Sequence, residues 1–112
     1  MDLREKVVVI TGGRRIGASV AVELARRGAD LSLSYRASSD AAAAAAKEVE
    51  RCGGSVLVTR ADLSDPAACE GLIESTVERL GGLHVVINMA STYTPTAFDE
   101  LTESHLTEAL QV

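Results

Sequence analysis

The chain has 112 residues, of which 46% are hydrophobic and 24% charged, a composition typical of one globular domain. Its formal net charge of −5 argues against nonspecific nucleic-acid binding, which requires clustered lysine and arginine side chains. No apolar run approaches the roughly 20 residues that cross a bilayer and no signal-peptide layout is present, so we expect a cytoplasmic protein without membrane contact.

The chain begins with an apolar strand that leads through a glycine-rich turn into a helix. Four consecutive branched aliphatic residues predict a buried parallel strand over residues 6–11. The following helix is predicted over residues 15–27, ends at Gly28, and carries an apolar face of Ile16, Val20 and Leu24.

Strands and helices continue to alternate along the rest of the chain. Strands are predicted over residues 31–35, 55–60 and 84–88. An alanine-rich helix begins near residue 41 and ends near Gly53 and Gly54, and another begins at Asp65 and Pro66 and ends at Gly81. The second of these helices is predicted to bury Leu72, Ile73, Thr76, Val77 and Leu80. A last helix is predicted from residue 102, with Leu106 and Leu110 on one face.

This alternation predicts an α/β fold with a Rossmann-type doubly wound parallel sheet, present here in part. Right-handed crossovers place the four strands in the order 3-2-1-4. Ligands of such sheets bind at the carboxyl ends of the strands, beside the point where the strand order reverses. The candidate site therefore lies at the ends of strands 1, 2, 3 and 4.

The turn after the first strand is predicted to bind a pyrophosphate. Glycines allow a tight turn and a close approach of the helix, whose N-terminal N–H groups and dipole favour an anion. The turn comprises Thr11, Gly12, Gly13, Arg14, Arg15, Ile16 and Gly17. A tight turn without a ligand is the alternative reading, but the strand before it and the helix after it favour a dinucleotide.

The end of the second strand decides which nicotinamide cofactor is expected. An acidic residue there would bind the ribose 2′-hydroxyl of NAD, whereas an arginine accommodates the 2′-phosphate of NADP. Asp30 opens the strand and so lies at the wrong end, while Tyr35 and Arg36 close it. We therefore predict NADP, with help from Arg14 or Arg15; the alternative is that the arginines are only solvated.

Polar residues also follow the third and fourth strands. Asp62 is placed to accept a hydrogen bond from an adenine amino group, or alternatively to cap the turn before the next helix. Asn88 is placed to tie neighbouring strands together, and Ala90 and Ser91 present a small surface to a ligand. His84 and His105 are expected to be structural, and Cys52 and Cys69 to be free thiols, so that no metal site is predicted.

In these features the chain resembles the N-terminal half of a short-chain dehydrogenase/reductase. Residues 11–17 are similar to that family's Thr-Gly-x-x-x-Gly-x-Gly turn, Asp62 and Leu63 to its Asp-Leu/Val pair, and residues 88–91 to its Asn-Asn-Ala-Gly segment. The resemblance implies hydride transfer between NADP and a small carbonyl substrate. The Arg-Arg-Ile-Gly ending of the turn and residues 90–96 are similar to the pteridine-reductase branch, which implies a pterin-like substrate.

Three departures from the family pattern accompany this resemblance. The turn is one residue shorter than the family's, with Arg15 in place of its middle glycine, and Met89 and Ser91 replace an asparagine and a glycine. The family's Tyr-x-x-x-Lys pair, which performs its acid–base chemistry, does not occur, because Ser39 and Ala97 stand four residues after the two tyrosines. We expect residues 1–112 to be a dinucleotide-binding half-domain, truncated before the catalytic residues and inactive as it stands.

Two alternative functions remain open at this stage. The first alternative to the reductase half-domain is a dinucleotide-binding module without chemistry. The second is a subunit completed by another chain, because the apolar edge of the fourth strand predicts self-association. A half-domain of an S-adenosylmethionine-dependent methyltransferase is disfavoured, because such a site calls for an acidic residue where Arg36 stands.

Overall fold

A computed structural model describes residues 2–12, 14–37 and 39–89 of the chain. The strands are β1 (Val7–Gly12), β2 (Asp30–Tyr35), β3 (Val56–Arg60) and β4 (Val85–Met89). The helices are α1 (Arg14–Arg26), α2 (Ser39–Arg51) and α3 (Pro66–Leu80). The helix predicted from residue 102 lies outside the described residues. Among the helices described, none is long and apolar enough to span a bilayer.

The four strands form one parallel sheet in the order β3-β2-β1-β4. The predicted fold class and strand order are thereby confirmed. Thr11 of β1 is in register with Ser34 of β2 on one side and with Asn88 of β4 on the other, and Tyr35 pairs with Arg60 of β3. The carboxyl ends of all four strands therefore meet at one edge, which we call the carboxyl edge.

One face of the sheet packs against α1 and α2, and small residues of α1 make the closest contact. Ala21 and Ala25 are buried in this core, whereas Val20 and Leu24 are only partly buried. Val20 and Leu24, which the sequence assigned to the apolar face of the helix, pack against this core without being fully buried. With Gly17, these alanines form a stripe at intervals of four residues, which brings the helix axis close to the sheet.

The opposite face of the sheet carries α3, which packs on β2 and β3. Of the five residues predicted to be buried in α3, only Leu72 and Thr76 are; Ile73 and Val77 are 37% and 46% exposed. Leu72 and Thr76 are four residues apart and face the sheet, while the next residue along each turn is rotated by about 100°. The prediction of a wider buried stripe was wrong for this reason.

The amino edge of the sheet, where the strands begin, is held by side chains with structural roles. His84 accepts a hydrogen bond at Nδ1 from the backbone N–H of Val7, at 2.9 Å. Asp30 Oδ1 accepts one from the backbone N–H of Ser55, at 3.0 Å. His84 is therefore structural, as predicted, and Asp30 lies at the edge opposite the candidate site.

Candidate functional site

The glycine-rich turn places the start of α1 directly beyond the end of β1. Gly12, the last residue of β1, has a φ of 65°, a conformation that L side chains rarely adopt. A Cβ added at Gly17 would lie 2.7 Å from the backbone oxygen of Gly12. Both positions therefore require glycine, and the requirement holds although the turn is one residue shorter than the family's. Gly13 lies outside the described residues.

The first turn of α1 is formed by the backbone of Arg14, Arg15 and Ile16. Because the first N–H groups of a helix have no partner within it, they and the helix dipole favour an anion at this end. The 13-residue helix contains no acidic residue in its first turn that would oppose an anion. The turn and the helix end together fit a pyrophosphate. The side chains of these three residues lie outside the described part of the structure.

A hydrogen bond joins β1 and β4 at the carboxyl edge. Thr11 donates its hydroxyl hydrogen to Asn88 Oδ1, with the two oxygens 2.5 Å apart. The two residues are also paired in the register of the strands, near the end of the backbone pairing between β1 and β4. The side-chain bond therefore adds to the backbone hydrogen bonds there. Asn88 ties neighbouring strands together, as its position in the sequence predicts, and fixes the ends of β1 and β4 relative to the turn.

The end of β2 presents Arg36 to solvent beside the end of β3. Tyr35 is half-buried, and its carbonyl accepts a hydrogen bond from the backbone N–H of Ala61 at 2.8 Å. One residue further, the carbonyl of Arg36 accepts one from Nε of Arg60 at 3.3 Å. Both Arg36 and Arg60 are exposed, so two guanidinium groups lie at the same strand ends.

Asp62 follows β3 at this edge and makes a tight turn with Ser64. Its Oδ1 accepts hydrogen bonds from the hydroxyl and the backbone N–H of Ser64, at 2.6 and 3.1 Å. The hydroxyl of Ser64, then its N–H, and to a smaller extent nearby Arg36 hold the pKa of Asp62 below its usual value. The carboxylate is therefore ionised at neutral pH, and the stabilisation that it provides is lost only as the pH falls through the lowered value.

The turn role that the sequence left as one alternative for Asp62 is thus observed. Leu63, the next residue, is half-buried, and its carbonyl accepts the thiol hydrogen bond of Cys69 at 3.3 Å. This contact holds the loop after β3 against the first turns of α3. Both cysteines are free, as predicted.

The structure places the predicted site residues that it describes along the carboxyl edge. These are Thr11, Gly12, Gly17, Tyr35, Arg36, Asp62, Leu63 and Asn88, together with the backbone of the first turn of α1. Ala90 and Ser91 lie outside the described residues. Arg60 was not predicted to belong to the site. Its position as the last residue of β3 is a signal for it, because the end of β3 lies at the same edge as Tyr35.

Comparison with known proteins gives one consistent result. The family model described as short chain dehydrogenase matches residues 6–112. An uncharacterized oxidoreductase of Methylorubrum extorquens is 36% identical over 92% of this chain and 42% of its own length.

Solved structures agree with the sequence match. A short-chain dehydrogenase/reductase from Serratia marcescens is 36% identical, with a TM-score of 0.88 over 100% of this chain and 46% of that one. A short chain dehydrogenase from Burkholderia cenocepacia, solved in complex with NADP, is 33% identical with the same TM-score of 0.88 and the same coverage, 100% and 46%. The chain thus spans less than half the length of these relatives. It belongs to the short-chain dehydrogenase/reductase family, oxidoreductases that bind a nicotinamide dinucleotide.

Proposed function

We propose that this chain is the cofactor-binding half of an NADP-dependent reductase that acts on a small carbonyl or pterin-like substrate. The observation that carries the cofactor choice is the position of Arg36. It is exposed immediately beyond the last residue of β2, where an arginine accommodates a 2′-phosphate. The acidic alternative in this strand, Asp30, lies at the opposite edge and is bonded to Ser55. The NADP complex of the Burkholderia relative supports the same choice.

Three parts of the carboxyl edge would each bind a different part of the cofactor. The turn after β1 and the N-terminus of α1 hold the pyrophosphate, and Arg36 pairs with the 2′-phosphate. Oδ1 of Asp62 accepts hydrogen bonds from Ser64, which fixes the position of the carboxylate. The adenine amino group would then donate a hydrogen bond to a carboxylate that is already held in place. When bound, the nicotinamide ring of the cofactor supplies the hydride. The bond from Thr11 to Asn88 fixes the strand ends on which that ring would lie.

Calorimetric titration of the chain with NADP⁺ and NAD⁺ tests the cofactor choice. A charge-assisted hydrogen bond contributes roughly 1.5–3 kcal/mol, so we expect NADP⁺ to bind roughly ten- to a hundredfold more tightly. Arg36→Ala should remove most of this preference by weakening NADP⁺ binding while NAD⁺ binding stays nearly constant. Tighter binding of NAD⁺ by the unaltered chain would contradict the proposal.

The 112 residues hold a cofactor site without the family's acid–base pair. No Tyr-x-x-x-Lys sequence occurs among them, so the tyrosine whose pKa a lysine would lower is missing. We therefore propose that the purified chain binds NADPH but does not oxidise it in the presence of carbonyl or pterin substrates. The absorbance of NADPH at a fixed substrate concentration reports turnover directly. Sustained oxidation by the pure chain would contradict this part of the proposal.

A second candidate, a subunit completed by another copy or chain, is favoured by one observation. Val86 of β4 is 55% exposed, and β4 is the last strand of the described sheet on that side. An exposed apolar side chain on an edge strand favours pairing with a second chain. The test is the oligomeric state of the protein and of its Val86 variant.

A further inference from the structure

Arg60 is an exposed arginine that has no role in the proposed cofactor site, and the fold holds it beside Arg36. Its position at the end of β3 puts it in register with Tyr35, the last residue of β2. Its Nε donates a hydrogen bond to the backbone oxygen of Arg36 at 3.3 Å. Because Nε joins the side-chain stem to the guanidinium, this bond fixes the root of the charged group at the exit of β2. Arg60 is therefore directed to the strand end where Arg36 stands.

The charges around Arg36 show why a second cation matters there. The carboxylate of Asp62 is close enough to Arg36 for the guanidinium to stabilise its charged form. A phosphate dianion approaching Arg36 alone would therefore also meet the negative charge of Asp62. Arg60 offsets that charge, and the three side chains together carry one net positive charge. Two guanidinium groups on one phosphate also follow the general preference of phosphate for arginine.

We propose that Arg60 is a specificity-determining residue that supplies the second positive charge of the 2′-phosphate subsite. The inference rests on the proposed function, since it assumes that the 2′-phosphate lies at the end of β2. It adds a residue from β3 to a subsite that the sequence assigned to Arg36. Charge is the property that acts, and the hydrogen bond to the Arg36 carbonyl determines where the charge is held.

Two substitutions separate the charge of Arg60 from its hydrogen bond. Arg60→Gln carries an amide nitrogen at the same distance along the side chain as Nε, so it retains a donor for the Arg36 carbonyl and loses the charge. Arg60→Lys has a carbon at that position and retains the charge. Arg79→Gln is the matched control, because Arg79 is also exposed and lies in the last turn of α3. It changes the net charge equally without touching the carboxyl edge.

The measurement is the ratio of dissociation constants for AMP and adenosine 2′,5′-bisphosphate, which differ only in the 2′-phosphate, obtained by calorimetry at low and at moderate salt. The unaltered chain should prefer the bisphosphate. Arg60→Gln should lower this preference by roughly two- to fivefold, an effect typical of one exposed charge, and the loss should shrink as salt is added. Arg79→Gln should stay close to the unaltered ratio, and Arg60→Lys, which retains the charge but loses the bond that positions it, should lose less of the preference than Arg60→Gln. Urea unfolding of each variant verifies that its fold is intact.

The outcomes distinguish this inference from the cofactor proposal. A chain that prefers the bisphosphate, with the same preference in Arg60→Gln, would overturn the role of Arg60 and leave Arg36 as the cation of the subsite among the side chains that the structure describes. An equal loss in Arg60→Lys and Arg60→Gln would also overturn it, because the charge would then not be the property that acts. An unaltered chain without preference for the 2′-phosphate would overturn the NADP assignment itself, and this inference with it.

Discussion

Gly17 lies at the closest approach between α1 and the end of β1. A methyl group there would come within 2.7 Å of the Gly12 backbone oxygen, and a backbone atom is not displaced as easily as the end of a side chain. We predict that Gly17→Ala moves the first turn of α1 away from the glycine-rich turn. The expected cost is about 1–3 kcal/mol in the free energy of unfolding, with NADP⁺ binding weakened at least tenfold.

Gly71 provides the matched control for that substitution. It lies inside α3, and nothing stands within 4 Å of a Cβ added there. Gly71→Ala should stabilise the chain by about 0.5–1 kcal/mol, because alanine is the better helix former. Urea denaturation of the two variants should thus give shifts of opposite sign. A Gly17→Ala chain as stable and as tightly binding as the unaltered one would contradict the steric argument.

The buried pair of Ser32 and Thr76 joins β2 to α3 through hydroxyl groups. Thr76 donates its hydroxyl hydrogen to the Leu72 carbonyl at 2.7 Å, so its 2.7 Å contact with Ser32 must be donated by Ser32. Thr76→Val leaves the Ser32 hydroxyl buried without its acceptor and should cost about 1–3 kcal/mol in the free energy of unfolding. Ser32→Ala leaves Thr76 still bonded to Leu72 and should cost less.

Urea unfolding of the two single variants and the double variant measures this asymmetry. The double variant should cost less than the sum of the single ones, because both substitutions remove the same bond. Equal costs for Ser32→Ala and Thr76→Val, or a larger cost for Ser32→Ala, would contradict the assigned direction of the hydrogen bond.

At the scale of elements, α3 shows how a sequence signal for a helix start is realised. Asp65 precedes the helix in an extended conformation, and its Oδ1 accepts a hydrogen bond from the N–H of Ala67 at 3.0 Å. Asp65→Ala should therefore cost about 0.5–2 kcal/mol in the free energy of unfolding, whereas Asp65→Asn retains the acceptor and should cost less. Circular dichroism during urea unfolding measures both. An alanine variant as stable as the unaltered chain would show that the cap contributes nothing.

The sequence was sufficient to locate the three described helices but not to predict which of their residues are most deeply buried. Apolar residues at helical spacing placed Val20 and Leu24 on one face of α1, and both pack against the core, yet Ala21 and Ala25 are more deeply buried. Hydrophobicity ranks large side chains above alanine, whereas the distance between helix and sheet is set by the smallest side chains between them. In α3, apolar residues at helical spacing predicted a wider buried face than the structure has. The position of the helix over β2 and β3 leaves Ile73 and Val77 exposed.

At the scale of the whole molecule, the edge strand β4 is predicted to determine the oligomeric state. Val86 of β4 is 55% exposed, and Val58 of β3, at the other edge, is 36% exposed. We predict that the chain self-associates and that Val86→Lys shifts it toward monomer, because a charge on an edge strand opposes strand pairing. Sedimentation velocity over a range of concentrations measures this, with Val58→Lys as control. A monomeric unaltered chain, or equal effects of the two variants, would contradict the prediction.

The location of the candidate site followed from the sequence because strand order determines it. A Gly-rich turn between the first strand and the first helix, with the fourth strand next to the first, brings Thr11 and Asn88 together. The hydrogen bond from Arg60 to the Arg36 carbonyl did not follow, because it depends on the register between β2 and β3, which a single sequence does not specify. The sequence also left two roles open for Asp62, an acceptor for adenine or a cap of the turn. Its hydrogen bonds from Ser64 show the turn role.

Amide chemical shifts during an NADP⁺ titration report whether a dinucleotide binds at the carboxyl edge of the sheet, as we propose. We predict the largest shifts at Gly12, Gly17 and Arg36, with small shifts at Gly28 and Gly53, beyond the C-terminal ends of α1 and α2. The shifts should saturate at the dissociation constant that calorimetry gives. Shifts concentrated at those two helix ends, or no shifts at saturating NADP⁺, would show that no dinucleotide binds at the carboxyl edge.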